Sequence, residues 1–148
     1  MAVSLDAILL GPGTRQQVIT DCFTLIEQEV SGMSGISGTA VKVAYKTVNA
    51  FMPGHVRFMV NRLLPEMVGK LEPYWAEFNS SGGSQFGDYL AKRGDEVAEA
   101  LLTVTDAQAA KSNRPIIIKA YGSVRNSAAR HVEAALPRVG ELVMKYAR

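Results

Sequence analysis

The two histidines of the chain, His55 and His131, occupy equivalent positions in two similar stretches of sequence. Imidazole groups titrate near neutral pH and ligate metals, so two of them brought together could bind a metal ion or a polar ligand. A metal site needs three or four ligands, and no Cys/His cluster stands near either histidine to supply the others. We therefore predict no metal and no cofactor. His55 and His131 remain candidate ligand or interface residues, and the simpler alternative is that each follows a helix start and packs or caps there.

Tyrosines also occupy equivalent positions in the two stretches: Tyr45 corresponds to Tyr121, and Tyr74 corresponds to Tyr146. A tyrosine has an apolar ring and a polar hydroxyl, and it can contribute to a ligand pocket or to an interface. Tyr45 and Tyr121 are therefore further candidates for such a site. The alternative is that all four are core residues whose hydroxyl groups form hydrogen bonds at the rim of the core.

Catalytic chemistry has little support in the sequence. The one cysteine, Cys22, lies on an apolar helical stripe, without the helix N-terminus or nearby cation that would lower the pKa of its thiol. The G-x-S-x-G pattern of serine hydrolases is absent. Glycines at 32, 35 and 38 match no known phosphate-binding loop, and they predict a helix–helix connection. We therefore predict no catalytic residue and no enzyme activity.

Basic residues concentrate near the carboxyl end of the chain. Residues 111–148 hold eight basic and two acidic residues, a net charge of +6, whereas residues 75–110 have a net charge of −4. A basic face could bind a nucleic acid or another polyanion. Neighbouring acidic and basic helices could equally neutralise one another, because asymmetry along a sequence need not become a patch in space. The candidate polyanion-binding residues are Arg125, Arg130, Arg138 and Lys145.

A repeated pattern indicates how these residues are positioned. Residues 44–56 match residues 120–132 at an offset of 76, with Ala44/Ala120 and Val48/Val124 among the identities. After a gap of four residues, close to one helical turn, the match resumes at an offset of 72 with Leu64/Leu136. The chain therefore resembles a diverged tandem duplication. We place the first repeat at 1–79, the linker at 80–84 and the second repeat at 85–148.

Apolar residues at helical spacing predict an all-α fold. Each repeat is expected to contain a short helix, a long helix and a pair of helices, so that residues 1–148 form one domain of about eight helices with approximate two-fold symmetry. A capping box is predicted at Thr14 and Gln17, and kinks or restarts at Pro65 and Pro73. Ile116, Ile117 and Ile118 favour a strand by propensity, but the repeat places them on a helix. Six residues are predicted to be in the core: Tyr45, Val48, Leu64, Tyr121, Val124 and Leu136.

Composition limits the class of protein. The chain is 47% hydrophobic and 20% charged, as in globular proteins, and no apolar run approaches the roughly 20 residues of a membrane helix. One cysteine excludes an intrachain disulfide, and the apolar start has no preceding basic residue, so we expect a cytoplasmic protein without a membrane association. We predict a non-enzymatic protein that acts through protein–protein contact or self-association, as a homodimer. The alternatives are a polyanion binder and a carrier of a small apolar ligand between the two repeats.

Overall fold

The computed structural model describes residues 3–147, which form helices and no strand. The all-α class is confirmed, including at Ile116–Ile118, which lie in a helix. The described residues form seven helices, where the sequence predicts about eight. They are α1 (Leu5–Leu9), α2 (Arg15–Ser31), α3 (Gly35–Phe51), α4 (His55–Ser81), α5 (Phe86–Lys92), α6 (Gly94–Lys111) and α7 (Pro115–Ala147).

The helix count differs because the second half of the chain lacks one break. In the first half, α3 ends before Pro53-Gly54, and Gly54 adopts a left-handed conformation with φ of 81° that suits glycine. At the offset of 76, the second half has Ala129-Arg130 in the same place, and both residues continue a helix without strain. The expectation that the second repeat ends in a pair of helices is therefore wrong. Its last segment is the single 33-residue helix α7.

Three local predictions also differ from the structure. The Thr14 side chain makes no capping hydrogen bond, because its backbone is already helical and not extended as a cap requires. Gly35 and Gly38 belong to α3, so the glycine-rich connection is shorter than expected. Of the kinks or restarts predicted at Pro65 and Pro73, the restarts do not occur, because helix α4 is continuous there, and Gly82, with φ of 75°, caps its end.

The core is formed by residues of α1, α2, α4, α5 and α6 and of the carboxyl-terminal half of α7. An aromatic cluster forms its centre: the rings of Trp75 and Phe86 meet edge to face with centroids 5.0 Å apart, and Phe78 lies 5.2 Å from Phe86. The indole N–H of Trp75 donates a hydrogen bond to the Val3 carbonyl at 2.8 Å, so this buried polar group is satisfied. Leu64 and Leu136 are buried, as predicted. Tyr45, Val48, Tyr121 and Val124 are only partly buried, which corrects their assignment to the core.

Helices α4 and α7 therefore have two different environments along their length. Their carboxyl-terminal halves contribute Leu71, Trp75, Leu136 and Val143 to the core. Residues of their amino-terminal halves, among them Arg62 and Val124, line a space together with α3 and the end of α6. Within residues 3–147, none of the helices combines the length and apolar character needed to cross a membrane.

Candidate functional site

A cavity of about 520 Å³ lies between α3, α6 and the amino-terminal halves of α4 and α7. Its volume is in the range of about 300–1,000 Å³ that is typical of small-molecule sites. The long helix α7 forms one wall, with Ile117, Ala120 and Val124 spaced so that they share one helical face. Helix α3 contributes Val41, Ala44 and Val48 in the same way. Both walls are therefore apolar.

Equivalent positions of the two sequence copies line this one cavity. Ala44 and Ala120, Val48 and Val124, and the candidates Tyr45 and Tyr121 are all lining residues. The two histidines do not share this arrangement. His55 lines the cavity at the start of α4, whereas the Nε2 atom of His131 is buried within the bundle and has no hydrogen-bond partner among residues 3–147. The expectation that His131 follows a helix start is wrong, because α7 is continuous there.

A hydrogen-bonded network holds Tyr121 at the cavity wall. Its hydroxyl donates to Asp106 Oδ1 at 2.5 Å and lies 2.8 Å from the Thr105 hydroxyl. Arg125 donates to both oxygens of the same carboxylate, from Nε at 2.8 Å and from Nη2 at 3.1 Å. These hydrogen bonds from Arg125 and from Tyr121 hold the pKa of Asp106 below its usual range. The network fixes the ring of Tyr121 in one orientation.

Tyr45 and His55 are held less tightly. The Tyr45 hydroxyl is 3.5 Å from Glu27 Oε2, at the outer limit of a hydrogen bond. Burial lowers the pKa of His55, and the positive charge of Arg114 lowers it further. Arg114, in the α6–α7 connection, lines the same cavity as His55. His55 is therefore in its neutral form at pH 7, able to donate one hydrogen bond and accept another.

Several lining residues were not identified as a site from the sequence. Arg62 of α4, Lys111 of α6 and Arg114 after α6 all line the cavity. One available signal is the spacing of His55, Met59 and Arg62 at i, i+4 and i+7, which places them on one helical face. Spacing along one helix does not show which other helix that face meets. Thr105 and Gln108 complete the polar part of the lining.

Three of the four candidate polyanion-binding residues are in intramolecular ion pairs. Arg125 pairs with Asp106 and with Glu99, at 2.8 and 3.3 Å. Arg138 pairs with Glu29 and Lys145 with Asp21, and both pairs join α7 to α2. Arg130 is exposed and has no carboxylate partner within the described chain. Of these residues, Arg125 pairs with the acidic segment 75–110, whereas Arg138 and Lys145 pair with acidic residues of α2.

Cys22 and the acidic residues form no second site. Cys22 packs against the core, and burial raises the pKa of its thiol to about 11, an effect to which the neighbouring Asp21 adds. Among residues 3–147, no group of three or more His, Cys, Asp or Glu side chains is arranged to hold a metal ion. The cavity is therefore the site that the geometry favours.

Comparison with known proteins identifies a family and little else. No curated protein and no solved structure matches the chain significantly. A family model described as a family of unknown function (DUF6918) matches residues 5–147. That range includes all seven helices and every residue of the cavity, and the chain therefore belongs to the DUF6918 family.

Proposed function

We propose that this protein binds a small, largely apolar molecule in the cavity between α3, α4, α6 and α7. The observation that supports this most directly is the cavity itself, with apolar walls from two helices and a few polar groups at fixed positions. Sites for small molecules have this composition, since apolar contact supplies affinity and a few polar groups supply orientation.

We propose binding without catalysis. His55 is the histidine of the cavity, and within residues 3–147 its side chain has no hydrogen bond to a hydroxyl or thiol that it could activate. The Thr105 hydroxyl, also in the lining, is instead engaged by Tyr121. Nucleophilic catalysis needs a nucleophile and a base within hydrogen-bond reach, so a carrier or sensor role fits this arrangement better.

The test uses the neutral fluorescent probe N-phenyl-1-naphthylamine. The parent protein should enhance its fluorescence saturably at a 1:1 ratio. Ala120→Phe fills part of the cavity and should weaken binding by about tenfold or more, since it removes space for apolar contact. Ala134→Phe is the matched control, because Ala134 is exposed on the same helix and does not line the cavity. Melting curves of both variants establish that they fold.

Absence of saturable binding by the parent protein would contradict the proposal. So would equal affinities of the two folded variants, because the probe would then be bound elsewhere on the surface.

We also propose that the chain arose by tandem duplication and that the cavity forms where the two copies meet. Tyr45 of α3 approaches a carboxylate of the preceding helix α2, and Tyr121 of α7 does the same with α6. Ala44/Ala120 and Val48/Val124 line the same space. In an experimental structure, the pair α2 and α3 should superpose on the pair formed by α6 and the first half of α7. The rotation between the two pairs should be about 180°, as a C2-like relation requires. Unrelated helix directions would contradict the duplication.

Self-association as a homodimer is the second candidate function, and exposed apolar side chains on α3 favour it. Ile36 is 94% exposed, Val43 59% and Phe51 71%. At 100° per residue these three lie within an arc of about 80°. Several large apolar side chains exposed on one helical face are typical of interaction sites.

We also propose a cytoplasmic location. The single cysteine supports it, because disulfide frameworks are typical of secreted proteins.

Sedimentation equilibrium tests the homodimer. The parent should sediment as a dimer at micromolar concentrations, and the double variant Ile36→Ser, Phe51→Ser should sediment as a monomer with an unchanged helical spectrum. A monomeric parent, or a variant that remains dimeric, would rule out this interface.

A further inference from the structure

The charged residues that line the cavity all have the same sign. Arg62, Lys111 and Arg114 contribute three positive charges, and neither aspartate nor glutamate is among the lining residues of the described chain. The whole chain has 16 basic and 14 acidic residues, so its overall composition does not explain a lining without any carboxylate. The cavity is electrostatically suited to an anion.

These three cations are among the basic residues of the described chain that form no ion pair, and they differ from the others because they line one cavity. Arg125, Arg138 and Lys145 are paired with carboxylates. Arg62, Lys111 and Arg114 form no salt bridge within residues 3–147. Asp106 of α6, whose carboxylate accepts a hydrogen bond from the lining residue Tyr121, also accepts one from Arg125. Its charge is therefore compensated, and the positive charge of the lining is not.

The lining is also divided by exposure. Arg62, Lys111 and Arg114 are exposed, whereas Val41, Val48, Ile117 and Val124 are partly buried along the walls. A ligand that satisfies both parts needs an apolar body against the walls and a charged end near solvent. Guanidinium groups bind carboxylate and phosphate through two parallel hydrogen bonds, which makes arginine well suited to hold such an end.

We infer that the occupant of the cavity is an anionic amphiphile, an apolar chain or ring system with one carboxylate or phosphate group held by Arg62, Lys111 and Arg114. This inference rests on the proposed function, because it specifies the chemical class of the ligand for the same cavity. It adds a prediction that a purely apolar site does not make, namely discrimination by the charge of the head group.

Displacement of N-phenyl-1-naphthylamine by four probes with the same twelve-carbon chain tests the inference. The probes are dodecanoate, dodecyl phosphate, 1-dodecanol and dodecylammonium, each used below the concentration at which it aggregates. At least one of the two anions should displace the fluorophore at a concentration about tenfold or more below that of 1-dodecanol, since one contact to a charged group is worth about that factor. Comparison of dodecanoate with dodecyl phosphate identifies the preferred head group. Dodecylammonium should be the weakest competitor.

Charge-removing variants locate the head group. Arg62→Gln and Arg114→Gln should each weaken binding of the preferred anion by about tenfold while leaving 1-dodecanol and the fluorophore unaffected. Lys119→Gln is the matched control, because Lys119 is exposed on α7 outside the cavity and its replacement changes the net charge equally. An effect of Lys119→Gln as large as that of the other two would reveal only a general electrostatic attraction, and would overturn the inference.

The two proposals fail in different ways. If the parent does not bind N-phenyl-1-naphthylamine, the proposed function fails, and the inference fails with it. If the fluorophore binds in the cavity but 1-dodecanol or dodecylammonium competes as well as both anions, the cavity remains a ligand site and the anionic amphiphile alone is excluded.

Discussion

At the scale of residues, the matched tyrosines have a common structural role. The Tyr74 hydroxyl donates a hydrogen bond to Glu96 at 2.6 Å, and the Tyr146 hydroxyl donates one to Asp21 at 2.5 Å. Tyr121 donates to Asp106 in the same way, and Tyr45 approaches Glu27 at a longer distance. Each of these hydrogen bonds joins two helices. A hydrogen bond to a charged acceptor is worth about 1.5–3 kcal/mol, more than one between neutral groups. The tyrosine hydroxyl groups thus form the hydrogen bonds that the sequence interpretation expects, although Tyr45 and Tyr121 line the cavity and are not core residues.

The Asp106 network predicts a specific dependence on pH. Hydrogen bonds from Arg125 and Tyr121 hold the pKa of Asp106 below its ordinary value of 3.8, so the ionised carboxylate favours the folded state. Its contribution is present above pH 3.8 and is lost as the pH falls through the lower pKa of the folded state. Asp106→Asn should therefore reduce the free energy of unfolding by a similar amount from pH 5 to 7, and by less below pH 3.8.

Urea unfolding of parent and variant at a series of pH values measures this difference. Glu141→Gln, a substitution at an exposed residue of α7 without an ion pair in the described structure, is the control. If the free energies of unfolding of the parent and of Asp106→Asn differed by the same amount at every pH down to 3, the charge of the carboxylate would not be what stabilises the network.

The buried leucines of the repeat predict losses of stability. Leu64 is 7% exposed and Leu136 is fully buried. Replacing either by alanine removes apolar contact and leaves a cavity, and should lower the free energy of unfolding by about 2–5 kcal/mol. Ile118 is 49% exposed, so Ile118→Ala should lower the free energy of unfolding by clearly less than either leucine substitution. Denaturant unfolding provides the measurement, and values for both leucine variants within error of the parent would contradict the assignment of these residues to the core.

At the scale of elements, α7 packs closely against α5, and glycine residues permit this contact. A Cβ atom added to Gly140 would lie 2.2 Å from the backbone of Gly87 in α5, and one added to Gly87 would lie 2.5 Å from the Pro137 carbonyl oxygen. Helices α5 and α7 therefore cross with their backbones in contact. Neither position tolerates a side chain unless the helices separate.

Two glycine substitutions in the same helix should change stability in opposite directions. Gly140→Ala must displace α5, because its Cβ meets backbone atoms, so we expect a loss of about 1–3 kcal/mol, as is typical of overpacking. Gly122→Ala adds a Cβ with no other atom within 4 Å and should stabilise α7 by about 0.5–1 kcal/mol. Thermal melts monitored by circular dichroism distinguish the two. The crossing described here would be wrong if Gly140→Ala were as stable as the parent.

At the scale of the whole molecule, charges that are separated in the sequence meet in the fold. The segment 111–148, with a net charge of +6, packs through α7 against α2 and α6. The pairs Arg138–Glu29 and Lys145–Asp21 join the two ends of the chain, and Arg125–Asp106 joins α7 to α6. Three basic residues of the segment are therefore paired within the molecule, whereas Lys111 and Arg114 of the same segment, together with Arg62 of α4, line the cavity without a salt bridge in the described chain.

Neutralising paired and unpaired arginines should have different effects. Arg138→Gln removes the partner of Glu29 and should lower the free energy of unfolding by up to about 1 kcal/mol, the upper value for a pair that is partly exposed. Arg130→Gln makes the same change of charge on the same helix at a residue without a carboxylate partner in the described chain, and should have no measurable effect. Urea unfolding at low and at physiological salt gives both values, and salt should reduce the first. Equal effects of the two substitutions would exclude a structural role for the Arg138–Glu29 pair.

The sequence by itself predicted those features that depend on neighbours along the chain. Residues three and four positions apart share a helical face, so apolar spacing identified the helices and, with the repeat, placed Leu64 and Leu136 in the core. The repeat also overruled the strand propensity of Ile116–Ile118, because it compares two stretches that share one periodicity. The same reasoning failed at residues 129–130, where the replacement of Pro-Gly by Ala-Arg removes the break and leaves α7 as one helix.

Only the tertiary structure decided which helical faces meet. Tyr45, Val48, Tyr121 and Val124 have the spacing of core residues, yet they border a cavity between α3, α4, α6 and α7. The pairing of Arg125, Arg138 and Lys145 with carboxylates 19 to 124 residues away is likewise a property of packing. Periodicity gives the direction of a side chain relative to its own helix axis, and the distance between two axes is determined by the whole set of packed side chains.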